Sequence, residues 1–128
     1  MEYMNQYKKY ALFIGRYQTL HKGHKFLFKK KIDEGIPVFV WIRSVFIDDK
    51  NPYTPEQVLD MFNRDPETLS WIDTGMMQVQ ILPDIEGVYY GRDVGYKVEQ
   101  LEVPPEIAEI SATKLRDQLK QLHNGSIG

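Results

Sequence analysis

YALFIGRYQTLHKGHKFLFKKKIDEGIPVFVWI, residues 10–42, holds the pattern on which the fold turns. Tyr10 to Ile14 is too continuously apolar for an exposed strand and reads as a short buried one. Gly15 to Gly23 is a turn. His24 to Asp33 follows with helical spacing of Phe26, Leu27 and Ile32, and Gly35 and Pro37 close that helix. Ile36 to Ile42 is a second buried strand. Strand, helix and strand in this compass are the size of a right-handed crossover unit.

The rest of the chain continues the alternation. After the loop SVFIDDKNPY, the stretch TPEQVLDMFNRD opens on Thr54 as N-cap and Pro55 at the first helical position. Val58, Leu59 and Phe62 form its apolar stripe. DPETLSWID reads as a further short helix, Met77 to Leu82 as a strand and Val88 to Tyr90 as another. Residues 94–101 read as a helix and PPEIAE as a connection. The region between residues 65 and 88 is short for a full crossover helix. SATKLRDQLKQL reads as a last helix with Leu115, Leu119 and Leu122 on one side. The expected class is α/β and Rossmann-like, a mainly parallel sheet with helices on both faces. One domain over 1–128 is expected, with residues 124–128 as a frayed tail.

Composition narrows the function. The 128 residues are 42% hydrophobic, which excludes disorder as the general reading, and contain no cysteine, which excludes disulfides and thiolate chemistry. No apolar signal core and no membrane-length apolar run is present, so the cytoplasm is the expected compartment. Residues 1–31 carry a net charge of +7, residues 32–109 of −11 and residues 110–128 of +2. A solvated basic helix face explains most of Lys25, Lys29, Lys30 and Lys31. The functional alternative is an anion site assembled from both chain ends. A nucleic-acid binder would carry a larger, uniform positive excess, so a small polyphosphate is the better fit.

The turn GRYQTLHKGH carries the chemistry. Gly23 removes a side chain where the following helix begins, and the positive end of that helix is a seat for phosphate. His21 and His24 can donate ring N–H groups to the same anion. Three readings stay open here: a metal pair lacking a third suitably spaced ligand, two hydrogen-bonding turn residues, and a phosphate site. Trp41 reads as core, and the adjacent acids Asp48 and Asp49 as solvent-facing.

HKGH also matches the H-x-G-H signature of the nucleotidyltransferase superfamily, and the chain resembles that family over nearly its whole length. GRYQTLHKGH is similar to the GRFQPxHxGH opening of nicotinamide-mononucleotide adenylyltransferases, and ISATKLR at 110–116 is similar to the family's ISSTxxR. YYGRDVGY at 89–96 stands where small cytidylyltransferases carry a glycine-rich turn, and the chain length resembles glycerol-3-phosphate cytidylyltransferases. The resemblance implies transfer of a CMP or AMP group from CTP or ATP, with magnesium, to a phosphorylated small molecule, releasing pyrophosphate. It implies His21, His24, Lys22 and Arg116 as catalytic residues. Gly15, Arg16, Tyr17, Gly23, Gly91, Arg92, Asp93, Ile110, Ser111, Thr113 and Lys114 would bind the nucleotide. No resident metal ligands, no nucleic acid and no membrane are expected, and a homodimer is. Thr19 stands where the opening usually has proline. Glu56-Gln57 stands where relatives have Glu-Arg, a cation for which Arg64 or Arg43 would have to substitute. Lys22 and Lys25 lie near enough to help. A nucleotide-binding module without turnover is the alternative from another class.

Overall fold

A computed structural model describes residues 8–92, 95 and 97–108. The chain is a small α/β fold built on a three-stranded, all-parallel sheet. The strands are β1 (Ala11–Gly15), β2 (Val38–Ser44) and β3 (Met77–Pro83), in the order β1-β2-β3. Between β1 and β2 runs α1 (Lys22–Asp33), and between β2 and β3 run α2 (Pro55–Arg64) and α3 (Pro66–Asp73). A final short helix, α4, spans Pro105–Ala108. Among the described residues no helix is long and apolar enough to cross a membrane.

Register decides which side chains meet. Ala11, Val38 and Met77 lie in one row, as do Phe13, Val40 and Val79, and then Ile42 with Ile81. These side chains point to one face, where Phe28 of α1 and Val58 and Phe62 of α2 complete a fully buried core. Trp71 and Ile72 of α3 pack against it. The two crossovers step in the same direction across the sheet, so crossovers of one hand place α1, α2 and α3 on the same face. The core therefore takes its strand side chains from that face alone. The helix expected over 111–122 lies outside the described residues.

Local chemistry fixes the helix ends. Thr54 caps α2 by accepting from the Gln57 N–H at 3.0 Å, while the Gln57 side chain accepts from the Thr54 N–H at 2.8 Å. Gly35, at φ +80°, lets the chain leave α1 and donates to the Ile32 carbonyl. In α1 the core stripe is His24, Phe28 and Ile32, four residues apart. Phe28 is the fully buried residue, where Phe26 and Leu27 are half-buried. The two helices α2 and α3 together make the second crossover, which resolves the shortness of the 65–88 region.

Two sequence expectations fail after β3. Val88, Tyr89 and Tyr90 form no strand and are exposed. They are only three residues between Gly87 and Gly91, and no described strand lies alongside to take their backbone groups. Residues 97–101 are not helical either. Glu99 meets Lys31 in the last turn of α1 at 3.9 Å, and Val103 sits over Gly23 in its first turn. Only an extended chain joins those two contacts, and α4 then packs against α1.

Asp65 locks α3 to α1. Its carboxylate accepts from the Glu67 and Thr68 N–H groups at 3.1 and 3.0 Å, and from Lys25 Nζ at 3.0 Å. Burial acts to raise its pKa, but the Thr68 N–H, Lys25 and the Glu67 N–H together outweigh that and hold the carboxyl below its ordinary value. Because the folded pKa is the lower one, the contribution is complete above the ordinary carboxylate range and is lost as pH falls through the folded value. Asp65→Ala should lower stability in urea by about 1–2 kcal/mol at neutral pH. Asp65→Asn, which keeps a capping oxygen, should lose less, and both should show a shallower decline of stability between neutral and acid pH than the native chain.

Candidate functional site

The turn after β1 is built by packing one ring against the next. Tyr17 takes a left-handed conformation, φ 50°, which turns its phenol back into the core. There it meets His24 edge-on at 4.8 Å, Phe62 at 5.4 Å and Phe28 at 5.9 Å. A Cβ on Gly15 would stand 3.0 Å from Tyr17 Cζ, so glycine is what admits this ring. Burial pushes the Tyr17 phenol well above its ordinary pKa. Its side chain therefore serves the core beneath the site rather than the open face of the turn.

Gln18 is nearly fully buried and holds the turn to the start of α2. Its Nε2 donates to the Tyr53 carbonyl and its Oε1 accepts from the Tyr53 N–H, both at 2.9 Å. Nothing in the sequence signals this residue, because its partner is a backbone group 35 positions away. Thr19 Oγ1 lies 3.0 Å from Met61 Sδ, fixing the turn a second time against α2.

The two histidines form a reciprocal cap. His21 is the N-cap of α1, and its Nδ1 accepts from the Gly23 N–H at 3.0 Å. His24, at the third helical position, accepts at its own Nδ1 from the His21 N–H at 3.2 Å. These are the roles that Ser or Thr and Glu or Gln usually fill. Each ring thus has Nδ1 committed as an acceptor, which places the proton of the neutral ring on Nε2 as a donor. The rings stack at 3.8 Å and 29°. A Cβ on Gly23 would stand 2.8 Å from His21 Cε1, so this glycine exists to let the His21 ring reach its cap.

The cations around this pair are largely engaged. Arg16, exposed at the end of β1, lowers the pKa of both Asp48 after β2 and Asp84 after β3. At Asp48 the Asn51 N–H is the leading cause, and at Asp84 the hydrogen bond from Arg43, 2.7 Å away, is. Lys25 joins Asp65 and Glu67 instead of the turn. Gln57, in the place of the expected arginine, is held in the Thr54 cap. Of its two substitutes, Arg43 is paired with Asp84 and Arg64 with Asp60.

The structure thus brings together Gly15, Tyr17, His21, Gly23 and His24. Lys22 is exposed beside them at the first position of α1. Gly91 and Arg92 are exposed in the stretch after β3, and no described contact joins them to the histidines. Asp93, Ile110, Ser111, Thr113, Lys114 and Arg116 lie outside the described residues. No family model matches the chain, and no curated protein matches it either.

The close fit of Gly23 and His21 makes a sharp double-mutant test. Gly23→Ala alone should cost about 1 kcal/mol, because the new methyl displaces the capping ring. In a His21→Ala background the same change should instead stabilise by about 0.5–1 kcal/mol, since alanine is the better helix former once no ring stands in its way. Urea unfolding of the four chains measures both signs.

Proposed function

We propose that the chain is a nucleotidyltransferase that moves a CMP or AMP group from a nucleoside triphosphate to a phosphorylated small molecule. The observation that carries this reading is the reciprocal cap, which leaves two stacked imidazoles with Nε2–H donors at the positive end of α1, beyond the carboxyl end of β1. Sites in open parallel sheets are built in that position, and a phosphate is the ligand such donors suit. Residues 99–103 also return along α1 to Gly23, and α4, which ISATKLR follows in the sequence, packs against α1.

In the reaction, an oxygen of the acceptor phosphate forms a bond to the α-phosphorus. The bond from that phosphorus to the bridging oxygen breaks, and pyrophosphate leaves with the electron pair. The acceptor is already an anion, so no general base is required and charge stabilisation is the whole task. His24 and His21 donate to the phosphate oxygens, while Lys22, Lys114 and Arg116 neutralise the pyrophosphate. Ser111 and Thr113 hold phosphate, and Gly91, Arg92 and Asp93 recognise base or ribose. Among the described residues no group of three or more His, Asp or Glu is placed to hold a metal. Magnesium fits this site as the ion carried on the triphosphate, neutralising its charge, rather than as a resident of a protein cage.

A nucleotide-binding module with little or no turnover is the second reading. It is favoured by one specific observation, that Gln57, Arg43, Lys25 and Arg64 are all held in other contacts.

Pyrophosphate release with magnesium, comparing CTP and ATP across phosphorylated acceptors, decides between the two. His24→Ala should reduce turnover about a hundredfold or more. His24→Glu restores a favoured capping residue yet repels phosphate, so it should keep the helix start capped, and fold more stably than His24→Ala, while being equally slow. Near-native rates in both variants would remove His24 from the chemistry. Silence from the native chain, with CTP or ATP still raising its melting temperature, would establish the binding module.

A further inference from the structure

The cap at the start of α1 depends on the protonation state of the rings that make it. Serine and glutamate in these two places would hold the same N–H groups at any pH above the carboxylate range. An imidazole nitrogen accepts only while it carries no proton. Both Nδ1 atoms are committed in this way, His21 to the Gly23 N–H at 3.0 Å and His24 to the His21 N–H at 3.2 Å. A proton added to either Nδ1 sets N–H against N–H. The two bonds also share His21, whose ring accepts while its backbone donates, so loss of one loosens the other.

The surroundings add to this effect. The rings stack at 3.8 Å, where two positive charges repel strongly. Lys22 and Lys25 stand on the same turn of α1, at the positive end of the helix, and Arg16 ends the strand before it. Tyr17 meets His24 edge-on, and burial raises its phenol so far that it stays neutral. From α2 the turn meets the uncharged Met61 and Phe62. Asp65 and Glu67 are joined to Lys25, and Asp65 stays ionised through the imidazole range because its carboxyl is held below its ordinary value. The returning chain sets Val103 over Gly23, with Glu102 exposed next to it in sequence.

We propose that the histidine pair is a pH-sensitive switch, which closes the first turn of α1 and aims both rings while neutral, and releases that turn on taking a proton. Two magnitudes set its direction. A lost helix cap shifts the unfolding equilibrium about fivefold, and the reciprocal cap has two such bonds. Attraction between a surface imidazolium and an anion returns about fivefold at most. Acid therefore weakens the anion seat, the reverse of a histidine that holds phosphate by its charge alone. Because the folded chain keeps the rings neutral, their stabilisation is complete above the imidazole range, about pH 6 to 7, and is lost as pH falls through it. The switch belongs to the helix start and stands without nucleotide turnover, whereas its effect on anions rests on the proposed function.

In a His123→Gln chain the imidazoles are His21 and His24 alone. Between pH 8 and pH 5.5, about the span of the imidazole range, NMR signals of the ring nitrogens and of the His21 and Gly23 amides should move in one shared transition. Over the same interval the unfolding equilibrium constant in urea should rise about tenfold. His21→Ser combined with His24→Glu, a capping box without imidazole, should show no transition there. Sulfate, whose charge is constant over this range, should bind the His123→Gln chain several-fold more weakly at the acid end. Ring protonation with both amides unmoved, or sulfate binding that tightens toward acid, would overturn the proposal. Absence of sulfate binding at every pH, with the amide transition intact, would support the switch and count against the phosphate site. The NMR titration alters neither cap residue, so it decides the matter even where the double variant fails to fold.

Discussion

The His21–His24 cap is the constraint from which the rest of the site follows. Each imidazole accepts one backbone N–H at the start of α1, and each needs its Nδ1 lone pair to do so. The cap therefore sets the tautomer, and the tautomer sets what the rings can offer a ligand. A serine-and-glutamate box would close the helix equally well but would add negative charge and no paired donors where, on the proposed reading, an anion binds. Gly23 and Tyr17 are consequences of the same choice, one clearing space for the His21 ring and the other backing His24 from the core. Helix capping through Nδ1 and, on the proposed reading, anion recognition through Nε2 are thus two uses of the same rings.

The ends of the three strands are joined electrostatically as well as by register. Arg16 after β1 acts on Asp48 after β2 and on Asp84 after β3, and Arg43 binds Asp84 directly. On the proposed reading, a phosphate here would compete with carboxylates for these guanidinium groups, which would moderate the affinity the arginines alone would give.

How far the sequence revealed this depends on the range of each interaction. The strand-helix-strand unit over residues 10–42 was legible because period, glycine and proline signals are local. Thr54 with Pro55 is a local cap and was equally readable. Phe28 was missed as the key core residue because Phe26, Leu27 and Phe28 are all apolar, and only the direction of the core separates them. Val88 to Tyr90 has strand composition, but a strand also needs a neighbour, which composition does not provide. Gln18 to Tyr53 and Lys25 to Asp65 join positions 35 and 40 residues apart and left no trace in spacing. In the site, the histidines and Gly23 were legible as a group, whereas their mutual hydrogen bonds and Tyr17's inward turn were not.

The charge asymmetry takes on a different meaning in three dimensions. The basic excess of residues 1–31 suggested an anion site, yet Lys25 joins Asp65 and Glu67, Lys29 joins Asp33, and Lys31 joins Glu34 and Glu99. Much of that excess therefore neutralises the acidic stretch that follows it in sequence, tying α1 to α3 and to the returning chain. Exposed pairs of this kind contribute little individually, so their value lies in placement more than in stability. What remains near the histidines is Arg16 and Lys22, one already facing two carboxylates. A triphosphate carries far more charge than these two residues balance. On the proposed reading the deficit would fall to magnesium on the nucleotide and to Lys114 and Arg116, so productive binding would turn on the C-terminal segment as much as on the histidines.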